Sequence, residues 1–392
     1  MLAAALDAAF GPAAGSDAVE IARAPGRVNL IGDHMDYNEG FALPAAIDLD
    51  TWLAFRRRED DVVRVVSRHS RAGGSFRIDS VAPGSATSSG PGSGGWSDYI
   101  AGTAWSLREA DIPTYGFDGV IDTTLPIGVG LASSAALELA AALALIGPSR
   151  VLAPPSLAAL AQRAERDYMG VDAGIVDQLA SAAGRADRAM LLDCRSLDFN
   201  YVTMPFGVRI VVCDTGEKRE LRSTAYATRR AECARAVALL AEQMPGLCSL
   251  RDLDPASLHR YRTILPENVA ARAEHVVTEN GRVLAAAAAM EAGDLDELGR
   301  IFSDSHSSLR DRYGVSSPAL DAMVELALAT PGVVAARMTG LGFGGCTVNL
   351  VLADAIPALQ AAIGREYKDR TGLRGQMYPV SVVAGAGLLR LG

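Results

Sequence analysis

Residues 126–135, Pro-Ile-Gly-Val-Gly-Leu-Ala-Ser-Ser-Ala, constrain the fold of this chain more than any other stretch. They follow an extended segment and lead into an alanine-rich run that is typical of a helix. Gly128 and Gly130 have no Cβ atom, so their backbone can approach a ligand closely. Ser133 and Ser134 stand where the helix would begin. Free amides and the positive end of the helix dipole at that point favour an anion, so the segment predicts a seat for an oligophosphate.

Three other kinds of strand-loop-helix segment share features with these residues. A junction capped by a serine would show the same residues without binding a ligand. A Walker nucleotide loop is excluded, because the chain contains no G-x-x-x-x-G-K-[ST] pattern. A Rossmann dinucleotide site is disfavoured, because Ser133 stands where that fingerprint requires a third glycine.

Composition narrows the class of protein and its partners. A length of 392 residues favours two domains, and 49% hydrophobic with 21% charged residues is typical of a soluble folded chain. The net charge of -9 argues against a nucleic-acid partner. Five scattered cysteines indicate neither a disulfide framework nor a zinc site. The apolar run at 137–146 is too short to cross a membrane. We therefore expect a cytoplasmic monomer without a membrane partner.

A dense polar cluster lies near the start of the chain, between apolar residues that can anchor it in a core. Its members within ten positions are Arg27, Asn29, Asp33, His34 and Asp36. Such a cluster indicates a ligand. The alternative is that its charges pair with one another on a loop, and for His34 alone a packed core histidine is the alternative.

Two carboxylates and two aromatic residues are further candidates for a site. Glu165 lies on a predicted helix at 156–168, and Asp177 is bracketed by apolar neighbours. A carboxylate in such surroundings is expected to pair with another group or to serve in a functional site. Trp96 and Tyr99 share one face of a predicted helix. They could flank a purine, although packing in a core is the more common fate of a lone Trp-x-x-Tyr.

A second glycine-rich loop enters a strand between residues 337 and 350. Glycines at 340, 342, 344 and 345 allow its backbone to pass close to another group. A tight bulged turn would need one or two of these glycines in any case. The pattern alone is compatible with both.

The predicted elements indicate mixed sheets and helices in two halves. Apolar periodicity predicts a helix over the first dozen residues that ends near Gly11-Pro12, and further helices at 132–146, 156–168, 219–244, 284–290 and 320–328. Alternation and apolar runs predict strands at 45–55, 62–78, 201–212 and 381–389, and a low-complexity loop covers 83–95. We place the boundary near residue 203, which gives an N-terminal domain at 1–203 and a C-terminal domain at 204–392.

Four ordered blocks of the chain resemble the GHMP kinases and, within them, the galactokinases. The blocks are residues 26–38, 126–136, 305–321 and 338–346. The resemblance implies a two-domain α+β fold with mixed sheets packed against helices in each domain and an active site in the inter-domain cleft. It also implies an ATP-dependent sugar 1-kinase that converts D-galactose and ATP to galactose 1-phosphate and ADP.

The same resemblance implies roles for individual residues. The catalytic residues are Arg27 and Asp177. The sugar-contacting residues are Asp33, His34, Asp36, Gly174 and Tyr226. The ATP-binding residues are Trp96, Tyr99, Gly128, Gly130, Ser133, Ser134 and Gly342. The ligands of a Mg²⁺ ion are Ser134 and Glu165.

The chain departs from the galactokinase pattern at four positions. One is Ala132, which replaces the first of three serines and matters little because Ser133 and Ser134 remain. The family usually has Glu where Asp33 stands and Thr where Met35 stands, which leaves the outer end of the hexose undetermined. Leu341 replaces a smaller residue in the third motif. A kinase of the same fold for N-acetylgalactosamine, galacturonate or arabinose is therefore one alternative. A non-catalytic galactose sensor is another, which the presence of the two serines and Asp177 disfavours.

Overall fold

The computed structural model describes residues 1–12, 18–69, 72–84, 95–147, 150–217 and 222–390. The chain forms two compact units, each built from separate stretches of sequence. Unit 1 comprises Met1–Arg27, Ala46–Ala186 and Val383–Gly392, and unit 2 comprises Val28–Ala45 and Asp187–Val382. The predicted boundary near residue 203 divides the chain into two continuous domains, which is a different kind of division, and it stays a prediction.

The strands are numbered in chain order. They are β1 (Glu20–Asn29), β2 (Phe41–Ala42), β3 (Pro44–Arg57), β4 (Val62–Ser67), β5 (Gly73–Arg77), β6 (Phe117–Thr123), β7 (Arg188–Asp193), β8 (Phe199–Thr203), β9 (Val208–Asp214), β10 (Val333–Thr339), β11 (Cys346–Leu352), β12 (Gln376–Val380) and β13 (Gly387–Arg390). They form sheets in both units, which agrees with the predicted α+β class.

The helices are numbered in the same way. They are α1 (Leu2–Phe10), α2 (Trp96–Arg108), α3 (Ser133–Leu145), α4 (Pro154–Arg163), α5 (Val176–Ala183), α6 (Arg222–Ala241), α7 (Pro255–Tyr261), α8 (Glu267–Ala292), α9 (Leu295–Ser308), α10 (Pro318–Leu328), α11 (Ile356–Ala362) and α12 (Lys368–Thr371). Within the described ranges, none of these helices combines the length and apolar character needed to cross a bilayer.

The sheet of unit 1 has the strand order β13-β1-β3-β6-β4-β5. Strand β3 runs antiparallel to β6, and β4 runs parallel to β6, so the sheet is mixed as predicted. Phe55 on β3 and Phe117 on β6 are fully buried, with ring centroids 5.8 Å apart in an edge-on arrangement. The chain leaves β6 through the first glycine loop and enters α3, which places that loop at the end of a buried strand.

Unit 2 contains an antiparallel sheet of order β10-β11-β9-β12 and a smaller sheet of order β2-β7-β8. Thr339 on β10 pairs with Cys346 on β11, so residues 340–345 form the loop of a β-hairpin. The backbone in this loop repeatedly has φ between 54° and 98°, as at Gly340, Phe343 and Gly344. Glycine is favoured there because L-residues are strained at such angles.

Several predicted elements agree closely with the structure, and others need correction. Helix α3 matches its predicted span to within a residue at each end, and α1, predicted over the first dozen residues, runs from Leu2 to Phe10. The predicted strand at 62–78 is divided into β4 and β5. The predicted helix at 219–244 begins at Arg222 in α6, and its first three positions lie outside the described residues, as does most of the predicted loop at 83–95.

Helix α8 carries polar side chains on a face that the core of unit 2 covers completely. His275 and Glu279 are fully buried, and His275 Nδ1 lies 2.8 Å from the Ser308 hydroxyl oxygen. Within the described part of the chain, His275 Nε2 has no hydrogen-bond partner. Burial, which the nearby Glu279 only partly offsets, lowers the pKa of His275 to about 3.

This buried histidine gives a pH dependence of stability whose sign can be stated. In the unfolded chain His275 takes up a proton below pH 6.5, whereas the folded state does not do so until about pH 3. Its contribution is therefore complete above pH 6.5 and is lost as the pH falls. Between pH 7 and pH 5 we expect the parent to lose about 2 kcal/mol more unfolding free energy than His275→Gln, measured by urea denaturation.

The exposed His259 offers a matched control for this measurement. His259→Gln should follow the parent curve, because this side chain is exposed to solvent in the folded state and its replacement leaves the buried groups of unit 2 in place. Parallel curves for the parent and His275→Gln would contradict the expected linkage.

Candidate active site

The first glycine loop and the start of α3 lie where the sequence predicts a seat for an oligophosphate. Gly128 and Gly130 have φ of 80° and 92°, and a Cβ atom built on Gly128 would point into open space. Helix α3 begins at Ser133, as the sequence predicts, and its N-cap residue is Ala132 with a left-handed φ of 59°. Alanine has no side chain that could cap the first amides, so the serine-capped junction is not what the structure shows. The uncapped helix start suits an anion.

A buried acidic cluster lies beside the seat. Glu165 belongs to a π-helical turn, Ala164–Tyr168, and hydrogen-bonds to the side chain of Ser134. Gln178 Nε2 donates to Glu165 Oε2 over 2.6 Å and reaches Glu138 Oε2 at 3.4 Å. The two predicted ligands of a cation, Ser134 and Glu165, are thus in contact, and Gln178 fixes the orientation of the glutamate.

The electrostatics of this cluster disfavour a second negative charge. Burial, followed by the nearby carboxylate of Asp177, raises the pKa of Glu165. Burial and the charge of Glu165 raise the pKa of the fully buried Glu138 well above its usual value. Positive charge brought to this point would be stabilised by the same groups.

Arg27 and Asp177 meet, although 150 positions separate them in the sequence. Arg27 Nε donates to Asp177 Oδ1 over 2.8 Å, and Nη2 lies 2.5 Å from the same oxygen. Arg27 Nη1 donates over 2.7 Å to the carbonyl of Gly130. The guanidinium therefore joins the carboxylate to the glycine loop. Asp177 lies in the first turn of α5 with 35% of its side chain exposed, and both arginine contacts use Oδ1.

The polar segment after β1 is joined to the β10-β11 hairpin, and we call these joining contacts the seam. The seam consists of Thr339 Oγ1 donating to the Asn29 carbonyl (2.8 Å), Arg337 Nη1 donating to the Leu30 carbonyl (2.9 Å) and to Asp33 Oδ2 (2.6 Å), Gly340 N donating to Asp33 Oδ1 (2.7 Å), and His34 Nε2 lying 3.1 Å from the Leu341 carbonyl. All of its residues belong to unit 2.

Two departures from the galactokinase pattern lie inside this packed region. Arg337 is 0% exposed and the side chain of Asp33 is 3% exposed, so their ion pair is screened from water. Met35 is fully buried and packs in a hydrophobic cluster with Tyr313 and Met338. The Met35 side chain is therefore part of the core rather than a surface that meets a ligand.

His34 is held at both ring nitrogens. Its backbone has a left-handed φ of 64°, and its ring lies 5.8 Å from that of Tyr226 and 5.1 Å from that of Tyr313, measured between centroids. Burial lowers the pKa of His34 to about 4, although Asp33 acts in the opposite direction. The imidazole is therefore neutral at pH 7, with one donor and one acceptor nitrogen.

A hydrogen-bond chain of fixed direction follows from that neutrality. The Leu341 carbonyl can only accept, so His34 Nε2 carries the proton and Nδ1 accepts from the Tyr37 hydroxyl at 3.0 Å. Tyr37 has then used its proton, so it accepts from the Tyr313 hydroxyl at 2.6 Å. By the same reasoning, the Cys233 thiol donates to Tyr313 at 3.2 Å.

The remaining predicted residues lie on identifiable elements. Trp96 and Tyr99 occupy the first turn of α2, and burial followed by the charge of Glu165 raises the pKa of Tyr99. Gly342 has a φ of 77°, and a Cβ atom there would lie 2.2 Å from the Val315 carbonyl, so packing alone requires this glycine. Half-buried positions are taken by Asp36, Gly174 and Tyr226.

Sequence reasoning missed Gln178, Glu138 and Arg337. Gln178 follows Asp177 directly, and that adjacency was the available signal for it. Glu138 is a glutamate inside an alanine-rich buried helix, which is unusual for an ionisable side chain. Arg337 opens the second glycine-rich stretch, but nothing in the local sequence indicates its partner Asp33.

Comparison with known families gives matches along most of the chain. Residues 8–57 match the galactokinase galactose-binding signature, residues 98–185 match the GHMP kinases N terminal domain, and residues 286–369 match the GHMP kinases C terminal domain. These regions contain the polar segment after β1, the first glycine loop and the β10-β11 hairpin respectively.

Individual relatives cover almost the whole chain. A galactokinase of Chloroflexus aggregans is 44% identical over 97% of this chain and 96% of its own length. A crystal structure of Lactococcus lactis galactokinase complexed with galactose has a TM-score of 0.90 and 32% identity, and covers 98% of each chain. Methanococcus jannaschii mevalonate kinase, at 19% identity and a TM-score of 0.69, covers 95% of this chain and all of its own and shares the fold. The chain belongs to the galactokinase family of the GHMP kinases.

Proposed function

We propose that the protein is an ATP-dependent sugar 1-kinase that converts D-galactose and ATP to galactose 1-phosphate and ADP. The observation that carries this proposal is the position of Arg27, which holds Asp177 and the Gly130 carbonyl at once. A carboxylate that can receive a proton is thereby tied to the loop that suits an oligophosphate. Phosphoryl transfer requires mainly such alignment and charge neutralisation.

Asp177 is the proposed acceptor for the proton of the anomeric hydroxyl. Arg27 occupies Oδ1, which leaves Oδ2 outside the pair and available to the sugar hydroxyl. As the proton moves to Asp177, the sugar oxygen gains negative charge, and the adjacent guanidinium stabilises it. The relative complexed with galactose supports the choice of substrate.

The first glycine loop and α3 are the proposed seat of the ATP phosphates. Backbone amides at the start of α3 face no capping side chain from Ala132, so they can donate to phosphate oxygens. Gly128, Gly130 and Ser133 complete this seat. Trp96 and Tyr99 remain the proposed neighbours of the adenine, and Gly342 a proposed ATP-binding position.

A Mg²⁺ ion bound with ATP fits the residues that are present. The hydroxyl of Ser134 and the carboxylate of Glu165 are hard oxygen ligands, which Mg²⁺ prefers together with water and phosphate oxygens. Among the described residues there is no group of three or more His, Cys, Asp or Glu that could hold a metal by itself, and Mg²⁺ on ATP does not need one. The ion would neutralise charge on the phosphates, while Gln178 orients Glu165.

The residues that we propose to contact the hexose are Asp36, Gly174 and Tyr226. A short acid such as Asp36 can accept from vicinal hydroxyls. A site built around such acceptors rejects a sugar that lacks the matching hydroxyl. Asp33 and His34, which the family resemblance also implies as contacts, have protein partners at their polar atoms.

Asp36→Ala tests the discrimination of the axial hydroxyl. We expect kcat/KM for galactose to fall by about 10²-fold and the ratio of galactose to glucose turnover to shrink by at least about tenfold, since the acceptor that distinguishes the two sugars is gone. The exposed Asp369→Ala, which also removes one negative charge, should change neither value. An unchanged ratio in Asp36→Ala would remove this residue from sugar discrimination.

The proposed activity is tested by coupled ADP release over galactose, 2-deoxygalactose, N-acetylgalactosamine, galacturonate, arabinose and glucose. We expect turnover to be highest on galactose. Preference for one of the other sugars would favour a kinase of another specificity. Failure on all six sugars, with ATP binding intact, would favour a non-catalytic sensor.

We also propose that the working form is a cytoplasmic monomer without nucleic-acid or membrane partners. The net charge of -9 supports the absence of a nucleic-acid partner, and the scattered cysteines support a reducing compartment. Light scattering coupled to size exclusion should give a mass close to 40.9 kDa. Twice that mass would overturn the monomer.

A further inference from the structure

The seam places two sequence motifs in a single packed structure. One is the polar segment at residues 29–34, and the other is the end of β10 with its hairpin loop at residues 337–341. Every seam contact except the Thr339 hydroxyl and the Gly340 amide involves Arg337 or His34. Movement of the hairpin loop therefore moves Asp33 and His34 with it.

We propose that Asp33 and Arg337 are positioning residues, and that binding of the hexose depends on where their buried pair holds the hairpin loop and His34, rather than on a contact between Asp33 and the sugar. This inference rests on the proposed function for its choice of substrates.

The hydrogen bonds of Asp33 support this inference. Oδ2 accepts from Arg337 and Oδ1 accepts from the amide of Gly340, so neither carboxylate oxygen lacks a donor. The side chain is 3% exposed. A sugar hydroxyl could reach it only if the hairpin loop moved away, and that movement would uncover a buried charge.

The contacts of the Arg337 guanidinium also support the inference. Nη1 donates both to the Leu30 carbonyl and to Asp33, while Nη2 lies 3.9 Å from Glu279 Oε1. Glu279 is itself held by the Ser305 hydroxyl at 2.6 Å and by Arg282 Nε at 2.6 Å. Among the described residues Nη2 has no hydrogen-bond partner, so Glu279 attracts the guanidinium only by its charge, while the two hydrogen bonds of Nη1 set its position against Asp33.

The shorter acid at position 33 acquires a physical explanation from this arrangement. A carboxylate that must reach both Arg337 and the Gly340 amide at 2.6 and 2.7 Å is matched here by an aspartate. The next residue, His34, meets the Leu341 carbonyl at the tip of the same loop. The loop and the imidazole are therefore set together.

The decisive experiment combines substitutions with sugars that lack single hydroxyls. kcat/KM of the parent and of Asp33→Asn is measured on galactose and on 2-, 3-, 4- and 6-deoxygalactose. A positioning role predicts that Asp33→Asn lowers kcat/KM by about tenfold on every sugar, uniform to within about twofold. If the loss disappears on one deoxy sugar, Asp33 contacts that hydroxyl and the proposal is overturned.

Conservative and milder variants separate positioning from simple stability. Arg337→Lys keeps the charge but loses the second guanidinium nitrogen that faces Glu279, so it should raise the sugar KM less than Arg337→Met does. Thr339→Val removes a seam bond without uncovering a charge, and should raise the sugar KM several-fold with kcat within about threefold. The matched control is Thr330→Val. The Thr330 hydroxyl is also buried and donates to the Leu326 carbonyl at 3.0 Å, but it precedes the start of β10, at the end away from the hairpin loop. This variant should lower Tm only.

The possible outcomes distinguish this inference from the proposed function. A seam that is only structural would lower Tm in Thr339→Val and leave the sugar KM of the folded enzyme at the parental value, which would overturn the proposal. If Asp33→Asn or Arg337→Met does not fold, the comparison of Thr339→Val with Thr330→Val decides. If the parent phosphorylates no sugar, the proposed function fails. The coupling between Asp33 and Arg337 is then measured from the Tm of Asp33→Asn, of Arg337→Lys and of the double variant. Tm shifts that simply add would overturn the proposed pairing.

Discussion

Asp177→Asn should lower kcat for galactose by about 10³-fold, because the amide oxygen cannot take the proton of the anomeric hydroxyl. The substitution keeps the shape of the side chain, and the asparagine oxygen can still accept from Arg27. The seat at Gly130 and the start of α3 does not depend on the charge of residue 177. The loss should therefore fall on turnover, measured by coupled ADP release.

Two controls make this result interpretable. ATP binding, measured by calorimetry, should stay within about threefold of the parent. Asp172→Asn makes the same chemical change at an exposed carboxylate five positions earlier, and it should leave kcat at the parental value. Turnover of Asp177→Asn close to that of Asp172→Asn would remove Asp177 from the mechanism.

Arg27→Lys should lower kcat/KM by about 10²-fold even though it retains a positive charge. The guanidinium reaches Asp177 through Nε and Nη2 and the Gly130 carbonyl through Nη1. A compact ammonium cannot reproduce this fork, so the carboxylate is no longer tied to the glycine loop. Steady-state kinetics in galactose and ATP would measure the loss for each substrate.

The double variant of Arg27→Lys with Asp177→Asn tests whether the two residues act as a unit. If Arg27 works mainly through Asp177, adding Arg27→Lys to Asp177→Asn should lower kcat by less than about tenfold more. Losses that multiply in full would mean that the two side chains contribute independently, which the shared Oδ1 contacts argue against. The exposed Arg166→Lys should leave kcat unchanged.

Local patterns predicted the elements whose formation depends on local chemistry. Helix α3 begins at Ser133 as predicted, because two glycines end the preceding segment and an alanine run follows. Strand β3 agrees with the predicted strand at 45–55, since Asp48 and Asp50 alternate with Ile47 and Leu49 before a second apolar run. The family resemblance predicts that Arg27 and Asp177 lie together, and the structure brings them into contact, while their catalytic roles stay a proposal.

Elements governed by distant partners were predicted poorly. The sequence predicted a helix at 284–290, whereas α8 runs from Glu267 to Ala292. Its first half is rich in polar and charged residues, and His275 and Glu279 are buried only because α9 and other parts of unit 2 cover them. The predicted strand at 381–389 is reduced to β13, because residues before Gly387 make separate bonds, as Gly385 does to the Gly184 carbonyl.

The contacts of Asp33 show why side-chain roles in the site were harder to predict than its motifs. The resemblance placed Asp33 at a sugar-contacting position, and its partner Arg337 lies 304 positions away. No periodicity or spacing links two such residues. The same holds for Gln178 and Glu138, whose shared contact depends on the packing of α5 against α3.

Because each unit is built from separate stretches of sequence, unit 1 cannot finish folding until translation is nearly complete. Unit 1 needs residues 383–392, whose strand β13 pairs with β1 from the opposite end of the sequence. Nearly 200 residues of unit 2 are therefore translated while the β1 edge of that sheet is still open, and an open edge invites pairing with other chains. Nascent chains stalled before residue 383 should accordingly recruit chaperones far more than chains released beyond it.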